Sequence, residues 1–298
     1  MTTTPAAAQT AFGPMVIAAC EQHLPAHQRL FDDPDAARLL PAGQRLIVGA
    51  CRWKPVHQLL VKATDSKADG LWASLLCRKR YADDKVREAL HDGISQFVFL
   101  GAGLDTRARR LVAPAGARSF ETDLPANIAY KRRRLTEIHG RIPDGITLTA
   151  VDLKIDDLAG ALTTAGLDWN LPAMFVWEAV TQYLTEDTVH RTLAGLTAAA
   201  PASRLIFTYL RRDFLDGTHN YGAAPARHEF VTKRQVWHFG LLPEETPKLL
   251  RTFGWTEREH VGPTEYTDRY LRSLGRDLTV SPIERFVYAD RPAEASSV

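Results

Sequence analysis

Cysteine, long apolar runs and net charge are all scarce in this sequence. Of its 298 residues three are cysteines, Cys20, Cys51 and Cys77, an odd number without metal-like spacing. No apolar run approaches the ~20 residues needed to span a membrane. Its 37 Lys plus Arg against 35 Asp plus Glu leave a formal charge of +2, too balanced for a nucleic-acid-binding field. We therefore expect a cytoplasmic protein with no metal centre and no nucleic-acid or membrane partner.

The sequence QFVFLGAGLDTR at 96–107 predicts a buried strand, a glycine turn and the start of a helix. Gly101 and Gly103 would let the chain turn tightly and a ligand approach the main chain. A threonine occupies the third glycine position of the dinucleotide fingerprint, which argues against NAD. Glu121 and Asp123 follow about twenty residues on, where a second strand should present a carboxylate to ribose hydroxyls. The pattern favours a nucleoside ligand without phosphates.

Strand and helix signals alternate after this turn, which predicts a parallel sheet with helices on both faces. The expected strands are 96–101, 117–123, 146–152, 173–178 and 203–210, and then Trp255–Val261 and Ile283–Ala289 as a final hairpin. Before the first strand, prolines break the chain into short predicted helices up to about Glu88. We interpret this part as a helical cap.

Four motifs follow one another in the order typical of a known family: 100–107, 120–125, 151–153 and 177–184. They resemble the leucine carboxyl methyltransferase family, and within it the bacterial polyketide O-methyltransferase branch, from about Phe31 to Asp290. The resemblance implies an α/β, Rossmann-like class I methyltransferase fold with a seven-stranded, mostly parallel sheet. It also implies S-adenosyl-L-methionine (SAM) as the methyl donor. The expected division is a cap at 1–90 and a core at 91–298, with a substrate-covering insertion at about 211–250.

The resemblance places the donor on a defined set of residues. The glycine loop contributes Gly101, Ala102, Gly103 and Asp105, and the ribose is expected at Glu121 and Asp123. Asp152 would accept a hydrogen bond from the adenine amino group while Leu153 packs on the ring; a plain turn aspartate is the alternative.

Two charged side chains are assigned to the amino-acid end of the donor. Glu178 ends an apolar strand, and a buried carboxylate is costly unless it is paired. We expect it beside the ligand's cationic end; the alternative is a structural salt bridge. Arg80, with Arg78 as runner-up, matches the family arginine that grips the donor's carboxylate bidentately, the alternative being a solvated basic turn.

The acceptor determines which further residues matter. A carboxylate acceptor is already ionised and needs no base, whereas a phenol benefits from one. The catalytic candidates are Arg211 or Arg212 as a carboxylate anchor, His219 or His228 as a base, and Tyr183. We expect a small-molecule acceptor, a carboxylate of a polyketide-like or aromatic secondary metabolite. Phenol methylation, protein C-terminal carboxyl methylation and a SAM-binding module without catalysis remain alternatives.

Overall fold

One eight-stranded sheet organises the chain, which a computed structural model describes over residues 12–292. The strands are β1 (Gln96–Leu100), β2 (Arg118–Asp123), β3 (Ile146–Ala150), β4 (Ala173–Trp177), β5 (Arg204–Arg211), β6 (Gly240–Leu241), β7 (Thr256–Val261) and β8 (Glu284–Asp290). Their order is β3-β2-β1-β4-β5-β8-β7, and the short β6 pairs with β5. The neighbours among β1 to β6 are parallel, whereas β8 is antiparallel to both β5 and β7. The predicted mostly parallel sheet is confirmed, and β6 is an addition.

Helices cover both faces of the sheet, as predicted. They are α1 (Phe12–Glu21), α2 (Ala36–Leu39), α3 (Ala42–Ala50), α4 (Lys54–Asp65), α5 (Leu71–His91), α6 (Pro125–His139), α7 (Leu158–Thr164), α8 (Glu186–Gly195), α9 (Arg212–Leu215), α10 (Ala224–Arg227), α11 (Thr246–Thr252) and α12 (Pro263–Tyr266). Short 3₁₀ and π turns lie between several of them, among them a π turn at His228–Lys233. None of the helices within residues 12–292 is both long and apolar enough to cross a bilayer.

The alternation of side chains along β1 creates two hydrophobic layers. Phe97 and Phe99 pack into one cluster with residues of α1, α5 and α6. Val98 and Leu100 face the opposite cluster, which includes residues of α7, α8 and α11. Because successive strand side chains point to opposite faces, a strand of five buried residues must be apolar throughout. This explains the continuous apolar run in the sequence.

Helix α5 is longer than the short helices predicted before residue 88. It spans 21 residues, and no proline stands between Pro55 and Pro114 to interrupt it. Its buried residues Leu76, Ala82 and Val86 belong to the same cluster as β1. The helix therefore packs on the sheet, and the shorter helices α1 to α4 precede it in the chain. Residues 1–11 of the predicted cap lie outside the described residues.

Candidate active site

A cavity of about 870 Å³ lies at the carboxyl ends of β1 and β4. The strand order reverses between these two strands, which is where open α/β sheets bind ligands. Its size falls within the roughly 300–1,000 Å³ of small-molecule sites. Ten of the predicted site residues line it: Arg78, Gly101, Ala102, Gly103, Asp105, Asp123, Asp152, Leu153, Glu178 and Tyr183.

The glycine loop forms the floor of the cavity next to β1. Gly101 and Gly103 have φ of +64° and +47°, a region that side chains with a Cβ rarely adopt. A Cβ at Gly101 would lie 2.4 Å from Val180 Cγ2. The Gly103 N–H donates to Asp123 Oδ2 at 2.6 Å, so the loop is fixed against the tip of β2.

Asp123 and Glu121, predicted together, take different positions. The second carboxylate oxygen of Asp123 accepts hydrogen bonds from Leu124 N at 2.7 Å and Asn127 Nδ2 at 2.8 Å, and Asp123 faces the cavity. Glu121 lies two residues deeper on the same strand face, fully buried, with Lys131 Nζ 2.7 Å away. Burial raises the pKa of Glu121 to about 7 against the opposing charge of Lys131. Glu121 does not line the cavity, so the structure does not support a donor contact for it.

In the turn after β3, backbone N–H groups donate to the carboxylates of two aspartates. Asp152 N–H donates to Asp156 Oδ2 at 2.8 Å, and Asp152 Oδ1 accepts from Lys154 N at 2.9 Å. Both Asp152 and the buried Leu153 line the cavity. Asp152 therefore stabilises the turn and also faces the cavity, so the two alternatives considered from the sequence do not exclude each other.

The helical periodicity of α5 separates the two predicted arginines. Leu71, Leu75 and Arg78 form a stripe facing the cavity, as a spacing of three to four residues requires. Arg80 is turned by about 200° from Arg78. Its Nε lies 2.9 Å from Asp84 Oδ1, its Nη1 donates to Leu30 O at 2.6 Å, and it is not among the lining residues. Both arginines lie inside α5, not in the basic turn considered as the alternative, and of the two Arg78 lines the cavity; the structure favours Arg78.

Glu178 joins two arginines at the end of β4. Its Oε1 accepts from Arg78 Nε at 2.8 Å, and its Oε2 accepts from Arg107 Nη1 at 2.7 Å. Burial alone would raise the pKa of Glu178, but Arg107 and Arg78 hold it below its ordinary value. Glu178 is therefore both salt-bridged and exposed to the cavity, combining the two alternatives considered from the sequence. The next residue, Ala179, has φ +60°, a strained conformation of the kind that clusters at functional sites.

Arg107 is a functional candidate that the sequence reasoning missed. Its side chain is fully buried, and it pairs with Asp83 Oδ1 at 2.7 Å, with Asp105 and with Glu178. Its Nη2 also donates to Lys79 O at 3.0 Å. The residue stands in the glycine-loop motif, but nothing in the motif indicates that its side chain folds back under the loop.

Four of the five catalytic candidates lie away from the cavity. Arg211 pairs with Asp213 at 2.6 Å, and this hydrogen bond lowers the pKa of Asp213 to about 2. His219 stacks on Tyr221, whose hydroxyl donates to Asp213. Arg212 pairs with Glu245 at 2.6 Å. Neither these residues nor His228 lines the cavity, whereas Tyr183 does.

The far wall of the cavity is apolar and was only partly foreseen. Helix α1 contributes Met15, Val16 and Ile17, and the segment after α10 contributes Phe230 and Trp237. The two aromatic rings stack with centroids 4.4 Å apart. Trp237 belongs to the stretch interpreted as closing the pocket, but the cavity residues of α1 carried no distinguishing sequence signal.

The strand order and the site at the carboxyl edge of β1 and β4 define the class I methyltransferase fold. Two solved structures have the same architecture. A DUF574 family protein from Streptomyces avermitilis has a TM-score of 0.58 and 14% identity, covering 86% of this chain and 97% of that one. A protein from Thermobifida fusca named as "a putative methyltransferase" has a TM-score of 0.56 and 21% identity, covering 86% and 94%. These likenesses establish the fold alone.

The chain belongs to the leucine carboxyl methyltransferase family, whose sequence profile matches residues 11–197. A relative from Mycobacterium tuberculosis (strain ATCC 25618 / H37Rv) is 37% identical over 185 residues, 61% of this chain and 60% of that protein. Another from Mycobacterium avium (strain 104) is 33% identical over 195 residues, 64% and 63% respectively. Both are named "Putative S-adenosyl-L-methionine-dependent methyltransferase". The match to the M. tuberculosis relative therefore leaves about 40% of that protein's length uncovered.

Proposed function

We propose that the protein is a SAM-dependent O-methyltransferase that methylates the carboxylate of a small apolar acceptor, of polyketide-like or aromatic type. One observation carries the proposal: a single cavity is lined by nine of the eleven predicted donor residues and also by an apolar wall. Methyl transfer is an in-line displacement, so holding donor and acceptor in one enclosure can supply most of the acceleration.

The residues on the donor side of the cavity support SAM as the ligand. Asp123 would accept hydrogen bonds from the ribose, and Asp152 and Leu153 would frame the adenine. Gly101 and Gly103 have positive φ, and without a Cβ they leave the backbone of the loop open to the donor. The relatives named as SAM-dependent methyltransferases support the same donor.

The acceptor half supports a carboxylate more than a phenol. Among residues 12–292, no histidine lines the cavity, and a carboxylate needs no base because it is ionised at neutral pH. Tyr183 keeps phenol methylation open as the second candidate, since its side chain does line the cavity.

Each group of residues around the cavity has its own role in the proposed reaction. Bound SAM supplies an electrophilic methyl group on its sulfonium. The apolar side chains of α1 and the rings of Phe230 and Trp237 enclose the acceptor and exclude water, which strengthens the electrostatic interactions inside the cavity. The ion pairs of Glu178 with Arg78 and Arg107 keep the floor rigid.

A substrate panel tests the proposal. The purified protein is incubated with methyl-labelled SAM and three matched acceptor sets: apolar aromatic or polyketide acids, the corresponding phenols without a carboxyl group, and peptides with a free C-terminus. We expect label in a base-labile methyl ester of the acids. Label only in phenols or only in peptides would contradict the proposed acceptor, and SAM binding without turnover on any acceptor would contradict an enzymatic role.

A further inference from the structure

The exposed hydrophobic side chains of the protein are concentrated in one short stretch. Six large hydrophobic side chains are exposed among residues 12–292, and four of them lie within α3, α4 and the three residues between these helices: Leu46 at 76%, Ile47 at 48%, Trp53 at 68% and Leu59 at 67%. Single exposed apolar side chains are ordinary, whereas a cluster of them indicates a surface that binds a partner.

The two helices have few buried residues of their own. None of the 12 residues of α4 is buried, and Val48 is the single buried residue of α3. Helix α4 faces α5 through His57, whose ring lies 5.3 Å from that of Trp72. Leu59 and Lys62, three positions apart on one side of α4, are both exposed. The apolar side chains of this outer side therefore have no partner within the described part of the chain that buries them.

The same stretch is basic, although the whole chain is nearly neutral. Positions 36–64 contain five Lys or Arg and no Asp or Glu. One of the five, Arg38, pairs with Asp35 at 3.2 Å. The other four are exposed and form no ion pair with a carboxylate among residues 12–292: Arg45, Arg52, Lys54 and Lys62. A partner that is both apolar and negatively charged would complement this surface.

A membrane surface with anionic lipids has both properties. Helices that lie in a membrane interface carry Trp and Leu together with Lys or Arg, and Trp is enriched at the level of the headgroups. A second copy of the chain fits less well. A symmetric contact through this surface would bring the same four basic side chains together, and like charges in an interface are costly.

We propose that α3 and α4 dock on a bilayer that contains anionic lipids. Leu46, Trp53 and Leu59 would enter the headgroup region, and the basic side chains around them would bind the lipid phosphates. The sequence-based expectation of no membrane partner rests on the lack of a spanning apolar run, and docking on the surface needs none. The proposal is independent of the identity of the donor and of the acceptor.

The docking surface is continuous with the cavity. Gln44 and Ile47 of α3 and Leu60 and Thr64 of α4 line the cavity, and Ile47 is also among the exposed hydrophobic residues. A bilayer docked on these helices would therefore lie next to the cavity that is proposed to take an apolar acceptor. This last consequence rests on the proposed function, whereas the docking itself does not.

Co-sedimentation of the full-length protein with vesicles tests the docking. Vesicles of phosphatidylcholine alone are compared with vesicles of phosphatidylcholine and phosphatidylglycerol, at low and at high salt. We expect binding to the mixed vesicles only, and this binding should weaken with salt because salt screens the attraction. Arg45→Gln and Lys62→Gln should each weaken it about fivefold, the value for one basic residue near an anionic surface.

The apolar contribution is measured with a double variant. Leu46→Ser combined with Leu59→Ser should weaken binding to the mixed vesicles by at least about 10-fold, the value for burying one leucine side chain. Leu171→Ser is the matched control: Leu171 is also exposed, but it precedes β4 and lies at the opposite edge of the sheet from the cavity. All these substitutions are at exposed positions, so the thermal midpoints should stay close to that of the unmodified protein.

Four results would overturn the inference. The first is no binding to mixed vesicles at low salt, and the second is equal binding to both kinds of vesicle. The third is unchanged vesicle binding in the folded double variant. The fourth is a dimer of the unmodified protein that the double variant loses, which would assign the surface to a second copy of the chain. None of them affects the proposed methyl transfer, which is tested with soluble acceptors.

Discussion

Replacing Arg107 by methionine should destabilise the protein strongly, because this side chain joins three buried carboxylates. The expected loss of unfolding free energy is not three times that of one ion pair, because two of the three carboxylates keep another partner. Asp83 keeps Arg110 at 2.7 Å and Glu178 keeps Arg78 at 2.8 Å, whereas Asp105 loses its only ion-pair partner among the described residues. Stranding one buried charge costs about 3–5 kcal/mol. We therefore expect Arg107→Met to lose about that much of the free energy of unfolding, out of a typical total of about 5–15 kcal/mol.

The pH dependence of this loss has a defined sign. Burial would raise the pKa of Asp83, Asp105 and Glu178, but the arginines hold all three below their ordinary values. A carboxyl with a lowered folded-state pKa adds stability above its unfolded pKa, and that stability is lost as the pH falls through the folded value. Without Arg107 part of this contribution is missing. The deficit of the variant should be full at neutral pH and should shrink only as the pH falls below the unfolded pKa values of about 4 and through the lowered folded values.

Urea unfolding followed by tryptophan fluorescence measures this deficit, since the fully buried Trp177 reports on the core beside the site. Arg141→Met is the matched control, because its pair with Asp144 is 74% and 81% exposed and exposed pairs contribute little. A deficit below about 1 kcal/mol at neutral pH, no larger than that of an exposed pair, would refute the buried network as a source of stability. A deficit that grows on acidification would refute the electrostatic reasoning.

Three further predictions concern the donor and the acceptor. Asp123→Ala should weaken SAM binding by about 1–3 kcal/mol, because ribose hydroxyls lose their acceptor; calorimetry on the folded variant checks this, and unchanged affinity would remove Asp123 from the donor site. Gly101→Ala should weaken SAM binding, since the new Cβ meets Val180 at 2.4 Å with φ at +64°; wild-type affinity would show that the loop need not hold this conformation. His219→Ala and His228→Ala should each leave turnover and its flat profile between about pH 6 and 9 unchanged, because a carboxylate acceptor is ionised throughout that range; loss of a pH-dependent rise in either variant would favour a phenol acceptor.

Sequence alone was sufficient for the main strands of the sheet and for the strand-end residues of the proposed donor site. Alternating strands and helices predicted the parallel order, because a βαβ unit leaves few other arrangements. The strand ends could be placed from apolar runs followed by a glycine or an acidic residue, and Gly101, Asp123, Asp152 and Glu178 all line one cavity. These residues follow directly on strands, so the topology alone brings them to one edge.

Only the tertiary structure decided which neighbouring charges face the cavity. Arg78, Lys79 and Arg80 are consecutive, and the 100° step of a helix sends Arg80 outward to Asp84 and the other two inward. Glu121 and Asp123 share a strand face, but depth within the sheet gives one to Lys131 and the other to the cavity. The partners of Arg107 come from α5, the glycine loop and β4. Such pairings depend on distances between elements far apart in the chain, and the local sequence pattern does not encode those distances.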